Sequence, residues 1–205
     1  MKFAAINGSP HGSAGSTQVV LEAFLEGCRE EGAQVVTVQL AELQVGLCRA
    51  CHSCWTSSPG KCVIEDDLPQ VLESLEGADF VVLASPLHFL QVSGNLKVFI
   101  DRLTSTGGNP HNRPAEAKGP PPRMAVVMSA GFPRPEQFRA TSVWMEDLAA
   151  LLGRELWMEA YAGGARRLPL PEAQPWLGIL RDAGRRAARG SSLPAEARHA
   201  LKAGF

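Results

Sequence analysis

Four of the chain's five cysteines lie between Leu47 and Val63. Cys48, Cys51 and Cys54 recur at every third residue, and Cys62 follows further along the same stretch. A backbone folded around one small object turns a side chain inward at about that interval. Thiolates are the ligands that soft metals and iron–sulfur clusters prefer. Two successive C-x-x-C steps suit three corners of a 4Fe–4S cube, with Cys62 as the fourth ligand. Structural zinc also takes four thiolates, but usually from two knuckles well separated in sequence. A redox dithiol needs only one C-x-x-C. The remaining reading is a loop whose cysteines bind nothing. The spacing favours the cluster, with His52 and Trp55 lining its pocket rather than ligating. The fifth cysteine, Cys28, falls on the apolar face of a helix and reads as core.

A second stretch with chemistry in it is Gly8-Ser9-Pro10-His11-Gly12-Ser13-Ala14-Gly15-Ser16-Thr17. Small residues let backbone N–H groups turn toward an anion, and the helix that follows adds unsatisfied donors and a positive dipole end. The glycines do not make the dinucleotide fingerprint, and no Gly-Lys-Ser/Thr is present, so a monophosphate suits the loop better than a pyrophosphate. Two further segments suit a flat ring. Ser85-Pro86-Leu87-His88-Phe89-Leu90-Gln91-Val92-Ser93-Gly94 sets apolar groups beside polar backbone, and Ser129-Ala130-Gly131-Phe132 brings close backbone donors.

These segments need elements to position them. Phe3–Ile6 reads as a strand, and Ser16 or Thr17 as the N-cap of a helix with Val20, Leu21, Phe24, Leu25 and Cys28 inward. Gly32 ends that helix and Gln34–Leu40 extends as a second strand. Asp66 and Asp67 are candidate N-caps for a helix burying Val71, Leu72 and Leu75. Ala78–Ala84 is a third strand, apolar enough to be covered on both faces and ended by Ser85-Pro86. Ser93 can cap a helix with Leu96, Phe99, Ile100 and Leu103 inward. Residues 104–122 turn to Gly, Pro, Asn and charge and read as a long surface loop. Met124–Met128 is a fourth strand. A helix from about Pro135 to Leu152 follows, carrying Phe138, Val143, Trp144, Leu148 and Leu151. Leu156–Tyr161 is a fifth strand, and helices around 176–188 and 194–201 close the chain. Five strands alternating with helices make a doubly wound α/β sheet over residues 1–205 as one domain. Its ligands belong beyond the strands' C-terminal ends, where strand order reverses.

Composition excludes other classes. With 205 residues, 45% hydrophobic, there is enough chain for one substantial core. The net charge of -1 supplies no field toward nucleic acid or membrane. Arg181, Arg185, Arg186 and Arg189 form a helical face that reads as solvated. The N-terminal apolar run is too short for a signal peptide, and no run approaches the roughly 20 apolar residues of a membrane span. The chain is expected in the cytoplasm, where clustered cysteines bind metal or do redox work.

At these motifs the sequence resembles the NAD(P)H-dependent FMN reductases. Gly8-Ser9-Pro10 with Ser16-Thr17 is similar to their phosphate loop, and Ser85-Pro86-Leu87-His88-Phe89 with Leu96-Lys97-Val98-Phe99-Ile100-Asp101-Arg102 to their second flavin segment. The cysteine run leading into Asp66-Asp67-Leu68 resembles the iron–sulfur flavoprotein branch. The resemblance covers about Met1 to Phe132. It implies a flavodoxin-like five-stranded parallel sheet of order 2-1-3-4-5 with helices on both faces. It implies FMN against Ser9, His11, Ser16, Thr17, Gln18, Pro86, Leu87, His88, Phe89, Gln91, Ser129 and Gly131, where the family usually has Arg in place of His11. It implies a 4Fe–4S cluster on Cys48, Cys51, Cys54 and Cys62, and NAD(P)H as a possible electron donor. The expected function is a flavin-dependent oxidoreductase in which the cluster passes electrons between FMN and a carrier protein or a small acceptor such as a quinone or an oxygen species. Homodimers or homotetramers are implied too. Two other readings stay open: a cluster-free NAD(P)H-dependent FMN or quinone reductase, and a non-catalytic flavodoxin-like carrier or redox sensor.

Overall fold

The apolar runs pair into one sheet. In the computed structural model, which describes residues 1–106, 122–168 and 170–205, the strands are β1 (Lys2–Asn7), β2 (Gln34–Gln39), β3 (Phe80–His88), β4 (Gln91–Val92), β5 (Arg123–Ala130) and β6 (Glu155–Gly163). Five of them run parallel in the order β2-β1-β3-β5-β6, and β4 pairs antiparallel to β3 off that path. The helices are α1 (Ser16–Glu30), α2 (Leu68–Leu75), α3 (Gly94–Arg102), α4 (Arg139–Leu151), α5 (Gln174–Ala188) and α6 (Ala195–Ala203).

The alternation of side chains along each strand feeds two cores. Phe3, Ala5, Phe80, Val82 and Trp157 face α1 and α5, with Leu21, Phe24 and Leu180 packed onto them. Ile6, Leu83, Val126 and Met128 face α3 and α4, against Leu96, Phe99, Phe138 and Leu148. Phe3 stacks on Phe80 with ring centroids 5.0 Å apart, and Phe24 closes edgewise on Phe3. Cys28 is fully buried in the first of these cores. Burial pushes its thiol up to about 12. This is the core role that its position on α1 predicts.

The doubly wound parallel arrangement matches the expectation, and the strand count does not. The five expected strands pair in the expected order 2-1-3-4-5, which is β2-β1-β3-β5-β6 here; the correction is to the count, because a sixth, two-residue strand, β4, pairs with β3 off that path. β3 runs past Ser85-Pro86 to His88, then folds back through Phe89-Leu90 into the two-residue β4. Other local expectations shift. The N-cap of α1 is Gly15, so Ser16 and Thr17 lie inside the first turn. On α4, Val143 and Leu151 are exposed rather than inward. The arginine face of α5 is solvated as expected, but it also pairs with α1 through Arg181–Glu26, Arg185–Glu30 and Arg189–Glu31. Of the surface loop expected at 104–122, residues 107–121 lie outside the described residues.

Candidate functional site

The loop after β1 is built on one buried amide. Asn7 ends the strand with its side chain fully buried. Its Nδ2 donates to the Gly12 carbonyl at 3.2 Å and to Gln18 Oε1 at 3.0 Å, and its Oδ1 accepts from Ser9 N at 2.9 Å. The backbone then turns through Gly12, whose φ of 52° suits a residue without a Cβ. Gly8 lets α3 approach: a Cβ there would stand 2.5 Å from Leu96 Cβ. Ser93, the N-cap of α3, fixes that approach. Its Oγ donates to the Gly8 carbonyl at 2.6 Å and accepts from Leu96 N at 3.3 Å. A rigid, small-residue turn thus precedes the N-terminus of the 15-residue helix α1, the arrangement that binds phosphate groups.

Of the expected contacts, Ser9, Thr17 and Ser129 are buried, while His11 and Ser16 are exposed. Thr17 Oγ1 and Ser129 Oγ lie 2.8 Å apart and tie the β1 loop to the end of β5. Gln18 is turned inward instead. Its Oε1 accepts from Asn7 and Gln39, and its Nε2 donates to Glu22. On the other side of the switch point, Pro86 and Leu87 are half-buried, and His88, Phe89, Gln91 and Gly131 are exposed. Phe89 and Leu90 adopt positive φ values of 47° and 65°. That pair of angles makes the primed hairpin turn that glycine and asparagine usually occupy. Side chains larger than these are strained there, and such strain clusters at functional sites. Thr141 Oγ1 holds the turn by donating to the Leu90 carbonyl at 2.6 Å. The turn carries Phe89 entirely into solvent.

The four clustered cysteines line one cavity of about 130 Å³. Cys48 and Cys51 are exposed, and Cys54 and Cys62 are half-buried. The Cys54 thiol is pushed up first by burial and then by the negative charges of Cys62, Cys51 and Cys48, so all four sulfurs share one electrostatic neighbourhood. Hydrogen bonds from Ser53 hold the Cys51 thiol below its ordinary range. Ala50 and His52, with φ of 48° and 57°, bend the loop between the cysteines. Trp55 seals one side, its Nε1 donating to the Thr104 carbonyl at 3.0 Å and its ring 5.0 Å from that of His52. Among the described residues, no three of His, Cys, Asp and Glu are grouped to hold a single metal ion.

Sequence reasoning missed what closes this loop. Asp66 and Asp67 were expected as N-caps; Asp67 occupies that position without a side-chain cap bond. Asp66 still serves the helix start, its Oδ1 accepting from Leu68 N at 3.1 Å, and both carboxylates clasp the start of the loop to its end. Asp67 Oδ2 accepts from Gln44 N at 2.7 Å, and Asp66 Oδ2 accepts from Gly46 N at 2.8 Å. Arg102, at the end of α3, completes the clasp from below. Its Nη1 reaches Asp66 Oδ2 and the Gly46 carbonyl, each at 2.7 Å, and its Nη2 reaches Asp66 Oδ1 at 3.2 Å. Burial works against ionising Asp66, but the bonds from Arg102, Gly46 and Leu68 outweigh it and hold the carboxyl below its usual range. The available signal was the position of Arg102 three residues after Phe99, on the buried side of α3.

A doubly wound parallel sheet with a small-residue loop ahead of a helix N-terminus at β1 has the layout of the nucleotide-binding α/β folds. Residues 1–154 match the NADPH-dependent FMN reductase family, and the chain belongs to that FMN-dependent oxidoreductase family. An iron-sulfur flavoprotein of Archaeoglobus fulgidus is 32% identical over 137 residues, covering 67% of this chain and 58% of the relative. An iron-sulfur flavoprotein of Methanocaldococcus jannaschii is 37% identical over 102 residues, covering 50% of this chain and 51% of the relative. The chain therefore spans only about half the length of these curated relatives. Among solved structures, an NAD(P)H:quinone oxidoreductase from Methanothermobacter marburgensis superposes with a TM-score of 0.66 at 21% identity, over 93% of this chain and 95% of that one. An FMN-dependent NADH-azoreductase from Bacillus anthracis gives the same TM-score at 18% identity, over 92% and 100%. These two likenesses speak for the fold. Among the described residues no helix is long and apolar enough to cross a membrane.

Proposed function

We propose that the chain is a flavin-dependent oxidoreductase that binds FMN through the β1 loop and holds a 4Fe–4S cluster on Cys48, Cys51, Cys54 and Cys62. The observation that carries this reading is the single cavity shared by the four cysteines, in a chain of an FMN reductase family. A lone tetrahedral ion needs its sulfurs within about 2.3 Å of one centre. A cube would take its four thiolates on separate irons, which suits four cysteines that line one cavity. Both of the relatives described above bear the name iron-sulfur flavoprotein. FMN would sit with its phosphate at Ser9, His11, Ser16 and Thr17, and with its ring beside Pro86–Phe89, Gln91, Ser129 and Gly131. Flavin and cluster together supply two-electron and one-electron chemistry. This chain's residues orient the ring and set what reaches it. NAD(P)H as donor, a carrier protein, quinone or oxygen species as acceptor, a homo-oligomeric assembly and a reducing, cytoplasmic location complete the proposal.

The test is iron and acid-labile sulfide after anaerobic reconstitution. Serine in place of Cys48, Cys51, Cys54 or Cys62 should lose both, and Cys28→Ser should keep both. FMN content should survive in all five, because its loop is a separate segment. Zinc without sulfide would make the site a structural clasp. A second reading is the cluster-free NAD(P)H-dependent FMN or quinone reductase, which the match of residues 1–154 to the NADPH-dependent FMN reductase family supports equally. Wild-type protein that takes up no iron and yet oxidises NAD(P)H with FMN bound would establish it.

A further inference from the structure

Arg102 heads the fully buried side chains by size, at 1% exposure. Stability alone does not account for a guanidinium there. A buried ion pair is often no better than an apolar pair of the same volume. Asp66 and the Gly46 carbonyl take its two Nη groups. Its Nε is buried and has no hydrogen-bond partner among the described residues. The same side chain lines the cysteine cavity together with Cys62.

We propose that Arg102 is a positioning residue for the cluster, offering its charge and its Nε–H to the sulfurs in the cavity. In that place it holds Cys62 toward the other three cysteines and makes the cluster easier to reduce. This inference rests on the cluster reading above. Reduction brings one electron, and so one negative charge, into a partly desolvated site. A fixed cation beside it lowers the cost of that charge, and hydrogen bonds to cluster sulfur act in the same direction.

The test is an anaerobic redox titration of the reconstituted full chain, with dithionite as electron donor and cluster absorbance as readout. Iron, sulfide and FMN are counted beforehand. Arg102→Met, which removes the charge at similar volume, should retain the fold and FMN. At a poise where the wild-type cluster is half reduced, its ratio of reduced to oxidised cluster should fall tenfold or more. For a one-electron couple that is a drop of about 59 mV or more. Arg102→Lys, which keeps the charge but loses Nε, should fall between wild type and Arg102→Met. If the methionine variant does not fold, Arg102→Gln, which removes the charge but keeps an amide to bond Asp66 and the Gly46 carbonyl, takes its place and should show the same drop. An iron-replete Arg102→Met that titrates with wild type overturns the role of Arg102 and leaves the cluster standing. A lysine variant that falls as far as methionine overturns the part assigned to the charge. Wild-type protein without iron and sulfide overturns both readings at once.

Discussion

At the scale of single residues, the site depends on a few side chains whose partners lie far away in sequence. Thr17 shows the consequence. Its hydroxyl bonds Ser129 across 2.8 Å in a buried setting, whereas Ser16 beside it is exposed. Ser16→Ala should therefore weaken FMN binding with an unchanged melting temperature. Thr17→Val should weaken binding and also destabilise the fold by about 1–3 kcal/mol, because Ser129 Oγ loses its buried partner. Flavin fluorescence titration and thermal melts on each variant separate the two effects. Asp66 carries a larger share of stability. Removing it strands the Arg102 charge, so Asp66→Ala should cost about 3–5 kcal/mol. The sign of its pH dependence follows from a carboxyl whose folded pKa lies below its unfolded one. The contribution is present above the ordinary carboxylate range, near 3.9, and is lost as pH falls through the lower folded value. Melts of wild type and Asp66→Ala should differ most near neutrality and converge in acid. A constant difference down to pH 2 would mean that packing, not charge, sets the cost.

At the scale of elements, what the sequence disclosed and what it hid divide along physical lines. The parallel strands were legible because their apolar runs are long enough to be covered on both faces. β4 was not, because it is two residues long and rests on a positive-φ turn at Phe89-Leu90 that no residue preference announces. The cap of α1 was misplaced because the hydroxyls of Ser16 and Thr17 suit capping, while Gly15 occupies that position. The cysteine site was legible as a spacing, and its clasp was not. Asp66 and Arg102 meet across 36 residues, and no local pattern encodes that meeting. The packing of α1 on α5 was equally hidden. A Cβ on Gly27 would stand 1.9 Å from the Arg181 carbonyl oxygen, and one on Gly184 would stand 2.0 Å from that of Phe24. Gly27→Ala should push the helices apart and cost about 1–3 kcal/mol or more, with FMN affinity unchanged. The three exposed ion pairs beside this contact should matter far less, at about 0–1 kcal/mol each. Melting temperatures of Gly27→Ala and Arg185→Ala, compared at low and high salt, check that ranking.

For the whole molecule, α3 sets the distance between the two candidate sites. Its N-cap Ser93 is bonded to the phosphate loop at Gly8, and its last residue, Arg102, supports the cysteine cavity. Nine helical residues span about 13 Å. The phosphate loop and the cavity thus stand at opposite ends of one rigid strut. Neither site borrows a side chain from the other, and for that reason FMN binding and iron binding should fail independently in the variants described above.

The clasp formed by Gln44, Gly46, Asp66, Asp67 and Arg102 has a consequence for the architecture as well. Every one of those residues lies outside the run from Cys48 to Cys62. The loop is therefore a pendant whose two ends are already held together by the body of the protein. Closing a shorter connection between ends that are already pinned changes the entropy of folding only slowly with length. Replacing residues 48–62 with a short glycine–serine turn should give a chain that melts within a few degrees of wild type and still binds FMN. A variant that unfolds would show that the loop's own contacts, such as that of Trp55 with Thr104, hold up the sheet. A variant that folds would make the cysteine segment an interchangeable fitting, so that a one-electron centre can be added to or removed from a flavin scaffold without redesigning it.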